Sequence, residues 1–416
     1  MTQVGKDTLG TRSTLTVEGK DYAYYSLAKA AEQIGDVSRL PFSLKVLLEN
    51  MLRFEDGGHT VSVDNAKEVA SRVDNPTTGG EIQYRPARVL LVGAGHAHLH
   101  LLTQAARFRQ AGCALAMVSP RWFRYSGTAT AVLDGTVPAE QGCLDAAALA
   151  ARHGVPFHDG EVAQVDRSRQ QCRAGDGTVH DYDLVSFNIG SRVRVPAGDA
   201  MAYAAKPLAD LLTVPSLGDA AVLGGGATGI EIACALARTG VRRRVQLVAP
   251  SGVGVGLPCG ARGVVVRTLA DLGIQVVSVR DGTEAFAVHA TGLHPPPLMR
   301  SLGLTCAGDG ALSTDATLCS PDDPRVFAVG DCAHFQPRPL PRVGVYGVRA
   351  APVLAANLIA RAQGRSLKPF RPQRSALSIL NLGVTGLAVR GRWWWAHPLM
   401  LRWKGHIDQQ WLQRYR

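Results

Sequence analysis

The hydrophobic and polar positions divide the chain into three stretches. Within residues 1–75, which are slightly acidic, Leu40–Phe54 sets Leu44, Leu47, Leu48, Met51 and Leu52 at helical spacing, and an amphipathic helix is predicted there. The run Asp74-Asn-Pro-Thr-Thr-Gly-Gly80 reads as a turn-rich linker. From there to about residue 370, short apolar runs alternate with helical patterns, as in strand–helix–strand units. No short-period repeat interrupts this order.

Charge changes the picture at one end. The formal net charge is +11, and from Arg361 to Arg416 eleven Lys/Arg face one acid, Asp408. The segment Trp393–Trp411 mixes clustered tryptophans with leucines and cations, which suits a membrane interface, with a packed C-terminal helix or a homodimer contact as alternatives. No nucleic-acid recognition motif accompanies the charge, so nucleic acid is not expected as a partner. Met1–Ser26 is polar, without the apolar core of a signal peptide, and no run of about 20 apolar residues occurs that would cross a bilayer. A cytoplasmic protein is expected, held peripherally on the inner face of the cell membrane if the tail binds lipid. The eight cysteines form no C-x-x-C and have no His at zinc-like spacing, so buried reduced thiols and no metal are expected. His96, His98 and His100 alternate, but no carboxylate or cysteine completes a metal site; phosphate contact or packing is expected of them.

Two glycine-rich loops carry the candidate chemistry. In the first, the apolar strand Val89–Val92 runs into Gly93-Ala-Gly95-His-Ala-His98. Gly93 and Gly95 allow a tight turn and close approach to a pyrophosphate, and the helix from about Ala97 points its positive end at that anion. His98 stands where a third glycine belongs, and Ser119 stands where an acid would hold a ribose, at the end of the strand Ala114–Pro120. In the second, Gly224, Gly226 and Gly229 have the full G-x-G-x-x-G spacing, with a helix Ile230–Thr239 and a strand Val245–Val248 after them. The ribose acid is missing again: Ala249-Pro250-Ser251 follows that strand, and Arg242, Arg243 and Arg244 precede it. Two such units about 130 residues apart indicate two nucleotide sites. Downstream, a strand Val326–Val329 ends in Gly330-Asp331, where a carboxylate can accept from a sugar-like hydroxyl and Gly330 lets backbone come near.

In the order Gly93–His98, Gly224–Gly229, His289–Gly292 and Val326–Asp331 the chain resembles the two-dinucleotide-binding flavoproteins of the pyridine nucleotide–disulfide oxidoreductase superfamily. The stretches Gly93–Leu102, Arg124–Gly135, Ala205–Leu212 and Arg342–Leu358 resemble the branch with type II NADH dehydrogenase-like proteins and the flavoprotein joined to selenophosphate synthase. The resemblance covers about residues 84–416. It implies an α/β fold of two Rossmann-like domains, the second inserted in the first, after a helical N-terminal appendage. The expected division is 1–75 appendage, 76–84 linker, 85–215 with 301–370 for FAD, 216–300 for NAD(P)H in shortened form, and 371–416 tail. By the same likeness Asp331 would hold the FAD ribityl chain, Gly190 and Gly292 would lie in the returns between lobes, and Tyr125-Ser126-Gly127 near the ring. Lys206 would lie near the flavin edge and Glu231 near nicotinamide and flavin, as the catalytic pair. On their own residues, Lys206 also reads as a solvated lysine and Glu231 as a first-turn helix acid. Cys332 reads as a small buried residue.

Three departures qualify the likeness. No C-x4-C follows the first loop, so a dithiol relay is not expected. The quinone-contacting glutamines of type II dehydrogenases have no match at Tyr346–Ala350. Between Val279 and Val288 the second domain is too short for the usual small β-meander, which puts its folding in question.

Residues 1–75 carry a separate resemblance. Ser13–Leu27 and Ser38–Gly57 resemble the extreme N-terminus of aconitase, and nothing downstream supplies its three cluster-binding cysteines. This segment is read as fused, without lyase activity, its apolar helix poorly ordered away from its original partners. The expected function is an FAD-dependent oxidoreductase passing electrons from NAD(P)H to a small acceptor, a quinone foremost. The rivals are a sulfur or selenium acceptor and a degenerate or chimeric, non-catalytic flavoprotein.

Overall fold

A computed structural model describes residues 5–58, 61–75, 86–199, 201–239 and 243–416. The linker read at 76–84 and Arg242 lie outside the described residues. The chain separates into two units, Met1–Pro86 and Ala87–Arg416.

The first unit is not purely helical. It opens on an antiparallel hairpin of β1 (Arg12–Val17) and β2 (Lys20–Tyr25), followed by α1 (Leu27–Ile34), α2 (Phe42–Phe54) and α3 (Val63–Ser71). Ser26 caps α1 by accepting from the Lys29 amide, and Ser62 and Asn65 form a reciprocal capping box on α3. The expectation of a poorly ordered helix is corrected: α2 buries Leu48, Met51 and Leu52 in a core shared with Ala30, Val61 and Val69. The hairpin and α3 give its apolar stripe partners within the unit.

The second unit runs through β3 (Ala87–Val92), α4 (His96–Thr103), β4 (Cys113–Ser119), β5 (Phe157–Asp159), β6 (Leu184–Phe187), β7 (Ala202–Ala204), β8 (Ala220–Leu223), α5 (Ala227–Ala237), β9 (Val245–Val248), α6 (Cys259–Asp271), β10 (Gln275–Val277), β11 (Phe286–His289), β12 (Val326–Ala328) and α7 (Gly344–Ala362), then β13 (Ser378–Asn381), β14 (Gly386–Arg390), β15 (Trp393–His397) and α8 (Pro398–Gln413). Two five-stranded parallel sheets form, in the orders β12-β6-β3-β4-β5 and β7-β11-β8-β9-β10. In the first sheet Val89, Leu90, Leu91 and Val92 are all buried, because both faces are covered. One face packs on α4 and α7 through Leu99, Leu102, Ala351 and Leu354. The other packs on residues from an antiparallel sheet within 162–181 and from the segment around Met299 and Leu312.

The second sheet differs from the expected boundaries, since its edge strand β7 comes from Ala202–Ala204, ahead of residue 216. One face packs on α5 and α6 through Val222, Leu247, Ile232 and Val265. The chain returns from β10 to β11 through 278–285 without a strand, as the short sequence implied. That return lies over the other face, where the Asp281 carboxylate accepts from Gln246 and Arg244, and Arg280 pairs with Asp199. The tail is also corrected: β13, β14 and β15 make an antiparallel sheet on which α8 packs.

Candidate functional site

The first glycine loop, the end of β6 and the end of β12 meet at one residue, Asn188, which is 5% exposed. Its Oδ1 accepts from the Ala97 amide at the start of α4 (3.0 Å), its Nδ2 donates to the Val329 carbonyl (2.8 Å), and its backbone carbonyl accepts from the Gly95 amide (3.1 Å). A Cβ on Gly95 would lie 2.3 Å from Asn188 Oδ1, and one on Gly330 2.7 Å from its Nδ2. These two glycines are therefore required by close approach to a side chain as well as by any ligand. Gly93, at φ +86°, turns the chain under the same residue.

Two more side chains brace the loop. Ser119 Oγ accepts from the Ala94 amide (2.9 Å) and donates to the Pro120 carbonyl (3.1 Å). His98 is fully buried, its Nδ1 2.7 Å from the Gly93 carbonyl and its Nε2 2.8 Å from Ser186 Oγ. A carbonyl can only accept, so Nδ1 carries the proton and Nε2 accepts from the serine. Burial depresses the His98 ring to about 4. Both of its nitrogens are thus spent on the protein, which makes His98 a brace under the loop rather than a ligand contact. His100 is half-buried further along α4. His96 sits at the loop tip among Phe123, Tyr125 and Trp411, with ring centroids 5.2, 5.7 and 4.9 Å away. Burial and the Lys206 charge lower it to about 4.

Beside this loop the Asp331 carboxylate is nearly buried. Its Oδ2 accepts from the Ser191 hydroxyl (2.7 Å) and the Lys206 ammonium (2.5 Å), while Oδ1 accepts no hydrogen bond among the described residues. Burial alone would raise this carboxyl; Lys206, Ser191 and nearby Arg342 outweigh it and hold the group below its usual value. An ionised carboxylate with one free oxygen at a strand end can take a hydroxyl. Cys332, next in the chain, is fully buried and burial pushes its thiol up to about 11. All eight cysteines are free, and the expectation that they are buried fails at Cys259, which is exposed on α6, and at Cys143 and Cys306, which are half-buried. Gly190 and Gly292 adopt left-handed backbone with open space where a Cβ would stand.

The second loop is built more openly. A Cβ on Gly229 would lie 1.9 Å from the Gly224 carbonyl, so only glycine lets α5 approach β8. Gly226 has nothing within 4 Å of its Cβ position. The amides of Gly226, Ala227 and Thr228 find no acceptor among the described residues, and these three residues are exposed. That is the donor set of an anion site at a helix N-terminus.

Glu231 points elsewhere than this loop. Its Oε1 accepts from the Asn381 amide of β13 (2.7 Å), tying α5 to the C-terminal sheet, and burial raises its carboxyl. Asn381 also lines a cleft of about 440 Å³ with Thr128, Gln141, Arg238, Lys404 and Asp408. The Tyr125 hydroxyl donates to Asp408 (2.9 Å), Lys404 pairs with Asp408 (2.7 Å), and the Tyr125 ring stacks on Trp411 at 4.6 Å. A continuous set of contacts thus links the tip of the first loop to the cleft. Asn188 was not picked out from sequence, and neither were Asp408 and Lys404 as partners of Tyr125, which was itself expected near the ring. The one signal for Asn188 was a polar residue directly after a mostly apolar strand and directly before Ile189-Gly190.

Comparisons with known proteins follow this division. Residues 87–285 match the family described as pyridine nucleotide-disulphide oxidoreductase. Among solved structures, the sulfide:quinone oxidoreductase from Aquifex aeolicus is similar at a TM-score of 0.64, with 14% identity, over 79% of this chain and 91% of that one. The putidaredoxin reductase–putidaredoxin complex gives 0.61 at 18% identity, over 73% and 81%. A NAD-dependent persulfide reductase from A. fulgidus gives 0.62 at 18%, over 76% and 66%. At these identities the likeness is one of fold. The N-terminal unit is similar to aconitate hydratase A from Legionella pneumophila, 52% identical over 90 residues, which are 21% of this chain and 10% of that protein. It is 54% identical over 85 residues to the enzyme of Pseudomonas aeruginosa, 20% of this chain and 9% of that protein. The chain spans about a tenth of the length of the curated relatives it matches.

Proposed function

We propose, from the match of residues 87–285 to the pyridine nucleotide-disulphide oxidoreductase family, that the chain is an FAD-dependent oxidoreductase taking electrons from NAD(P)H and passing them to a small-molecule acceptor. The observation that carries the reading is the pairing of two parallel sheets, each with a glycine loop opening onto a helix N-terminus, with Asp331 beside the first. The residues fit both groups. Gly93, Gly95 and Gly190 let backbone approach a dinucleotide, and the free Oδ1 of Asp331 would take a hydroxyl of the FAD ribityl chain. Gly224, Gly226 and Gly229, with the open amides of α5, would hold the pyrophosphate of NAD(P)H. FAD when bound supplies hydride acceptance and onward electron transfer.

The chain's own residues then have separable tasks. Lys206 keeps Asp331 ionised and brings a fixed positive charge to the first site. Asn188, Ser119 and His98 hold the first loop in place. Tyr125, stacked on Trp411 and bonded to the cleft-lining Asp408, stands between that site and the cleft, which is the acceptor's approach. Glu231, raised by burial, is a carboxyl able to hold a proton close to the cleft-lining Asn381.

The exposed Trp393 and Trp395 of β15, and Leu399, Trp403 and Ile407 along α8, lie in a segment with Arg390, Arg392 and Arg402. This combination supports peripheral association with an anionic bilayer, where a quinone would be met. No described helix is long and apolar enough to cross a membrane. Asp331→Ala tests the flavin assignment: the variant should lose most of its bound flavin on gel filtration, and unchanged flavin content would overturn it.

A further inference from the structure

The end of β9 bears on which nicotinamide coenzyme the second loop accepts. At this place in a dinucleotide-binding unit, a carboxylate binds the ribose hydroxyls and repels a 2′-phosphate, whereas a cation accommodates that phosphate. From Val245 to Arg262 the chain has no acid and one cation, Arg262 itself. The segment after β9 stays against the glycine loop. The Gly254 amide donates to the Gly225 carbonyl (2.7 Å), and a Cβ on Gly225 would lie 2.5 Å from the Gly252 carbonyl.

Arg262 reaches this turn from the first part of α6. One of its terminal nitrogens lies 3.0 Å from where a Cβ on Gly252 would stand, and its Cγ 3.6 Å from that of Gly254. Gly252 therefore leaves the space across which the guanidinium extends. Ser251 beside it is exposed, as is Arg262. The ion pairs of this sheet are made by Arg244, Arg280 and His289, with Asp219, Asp281, Asp199 and Glu284; Arg262 makes none among the described residues. A side chain with five N–H donors and no carboxylate partner thus stands at the turn that would border the adenosine ribose.

We propose that the second site selects NADPH over NADH, with Arg262 and the Ser251 hydroxyl binding the 2′-phosphate. This rests on the assignment of the second loop to the coenzyme. The phosphate brings close to two negative charges and three acceptor oxygens, which a guanidinium meets with paired hydrogen bonds. Without the usual carboxylate, the ribose of NADH has no corresponding partner at this strand end.

The test is calorimetric titration of the full chain with adenosine 2′,5′-bisphosphate and, separately, adenosine 5′-monophosphate. The bisphosphate should bind on the order of 10-fold more tightly, with the gap narrowing as salt rises. Arg262→Glu should abolish the gap, and Arg267→Ala, which removes another exposed cation of α6, should preserve it. Equal binding of the two nucleotides, or a gap that survives Arg262→Glu, would overturn this inference alone. Failure of both nucleotides to bind would remove the coenzyme site and the inference with it.

Discussion

At the scale of single residues, the first site depends on two side chains that need never touch a ligand. Asn188→Ala would leave the Ala97 amide and the Val329 carbonyl without their partner in a buried setting. Each such loss costs about 1–3 kcal/mol, so the variant should be destabilised by about 2–4 kcal/mol in urea denaturation, with flavin content falling as well. A loss within experimental error would show that the three motifs are held together some other way. His98 makes a pH prediction. Its folded value is depressed to about 4 from an ordinary 6.5, so between these values the unfolded chain binds the extra proton. Stability is complete above about 6.5 and declines as pH falls towards 4, by up to about 3 kcal/mol from this residue. His98→Gln should flatten that slope, and an unchanged slope would place the proton elsewhere. These roles were hard to read in the sequence. His98 registered as a missing glycine, because spacing along a loop does not show that a ring folds back beneath it onto Ser186 of another strand.

At the scale of elements, the strands and loops that carry the chemistry were legible and the parts joining them were not. The strand Val245–Val248 has its expected bounds, and the helix after the second loop begins at Ala227 rather than Ile230, because Gly226 already serves as its N-cap. Apolar runs between glycine turns are a local signal. The edge strand Ala202–Ala204 has no such signal, being short and recruited only by pairing with β11. The missing meander was visible as a short spacing, but its consequence was not. The Asp281 and Arg280 contacts let a bare loop cover the sheet face, and the five-stranded sheet persists. The C-terminal element was read as a tail because its cations are concentrated there, with a packed C-terminal helix as one alternative, and it is that helix, beside a small sheet, that forms. In the fold Trp394 packs on Gly260 of α6, where a Cβ would lie 2.4 Å from the indole, and is 41% exposed, against 75% and 63% for Trp393 and Trp395. Vesicle co-sedimentation should therefore separate the positions. Replacing Trp393, Trp395 and Trp403 together by Ala should sharply weaken binding to anionic vesicles. Retained binding by that variant would contradict an interfacial role for these side chains.

At the scale of the whole molecule, the chain's two units are similar to different proteins. The N-terminal unit has its own small core and its own capped helices, and it is similar to a segment that forms about a tenth of aconitate hydratase A. It holds none of the eight cysteines, so cluster chemistry has no ligands of that kind there. The rest of the chain forms the two-sheet scaffold whose order was legible from three glycine-centred signatures. Those signatures are local, and their order along the chain matches the order the fold uses. The cleft was not legible, because it is assembled from the segments around Thr128, Arg238, Asn381 and Lys404, which are far apart in sequence. The central claim is that this scaffold binds FAD and reduces it with a nicotinamide coenzyme. The most direct test is the visible absorbance spectrum of the purified full chain, before and after anaerobic addition of NADPH and, separately, NADH. Flavin bands that bleach on addition of a reduced coenzyme are the predicted result; no flavin bands even after incubation with FAD, or bands that neither coenzyme bleaches, would contradict the account.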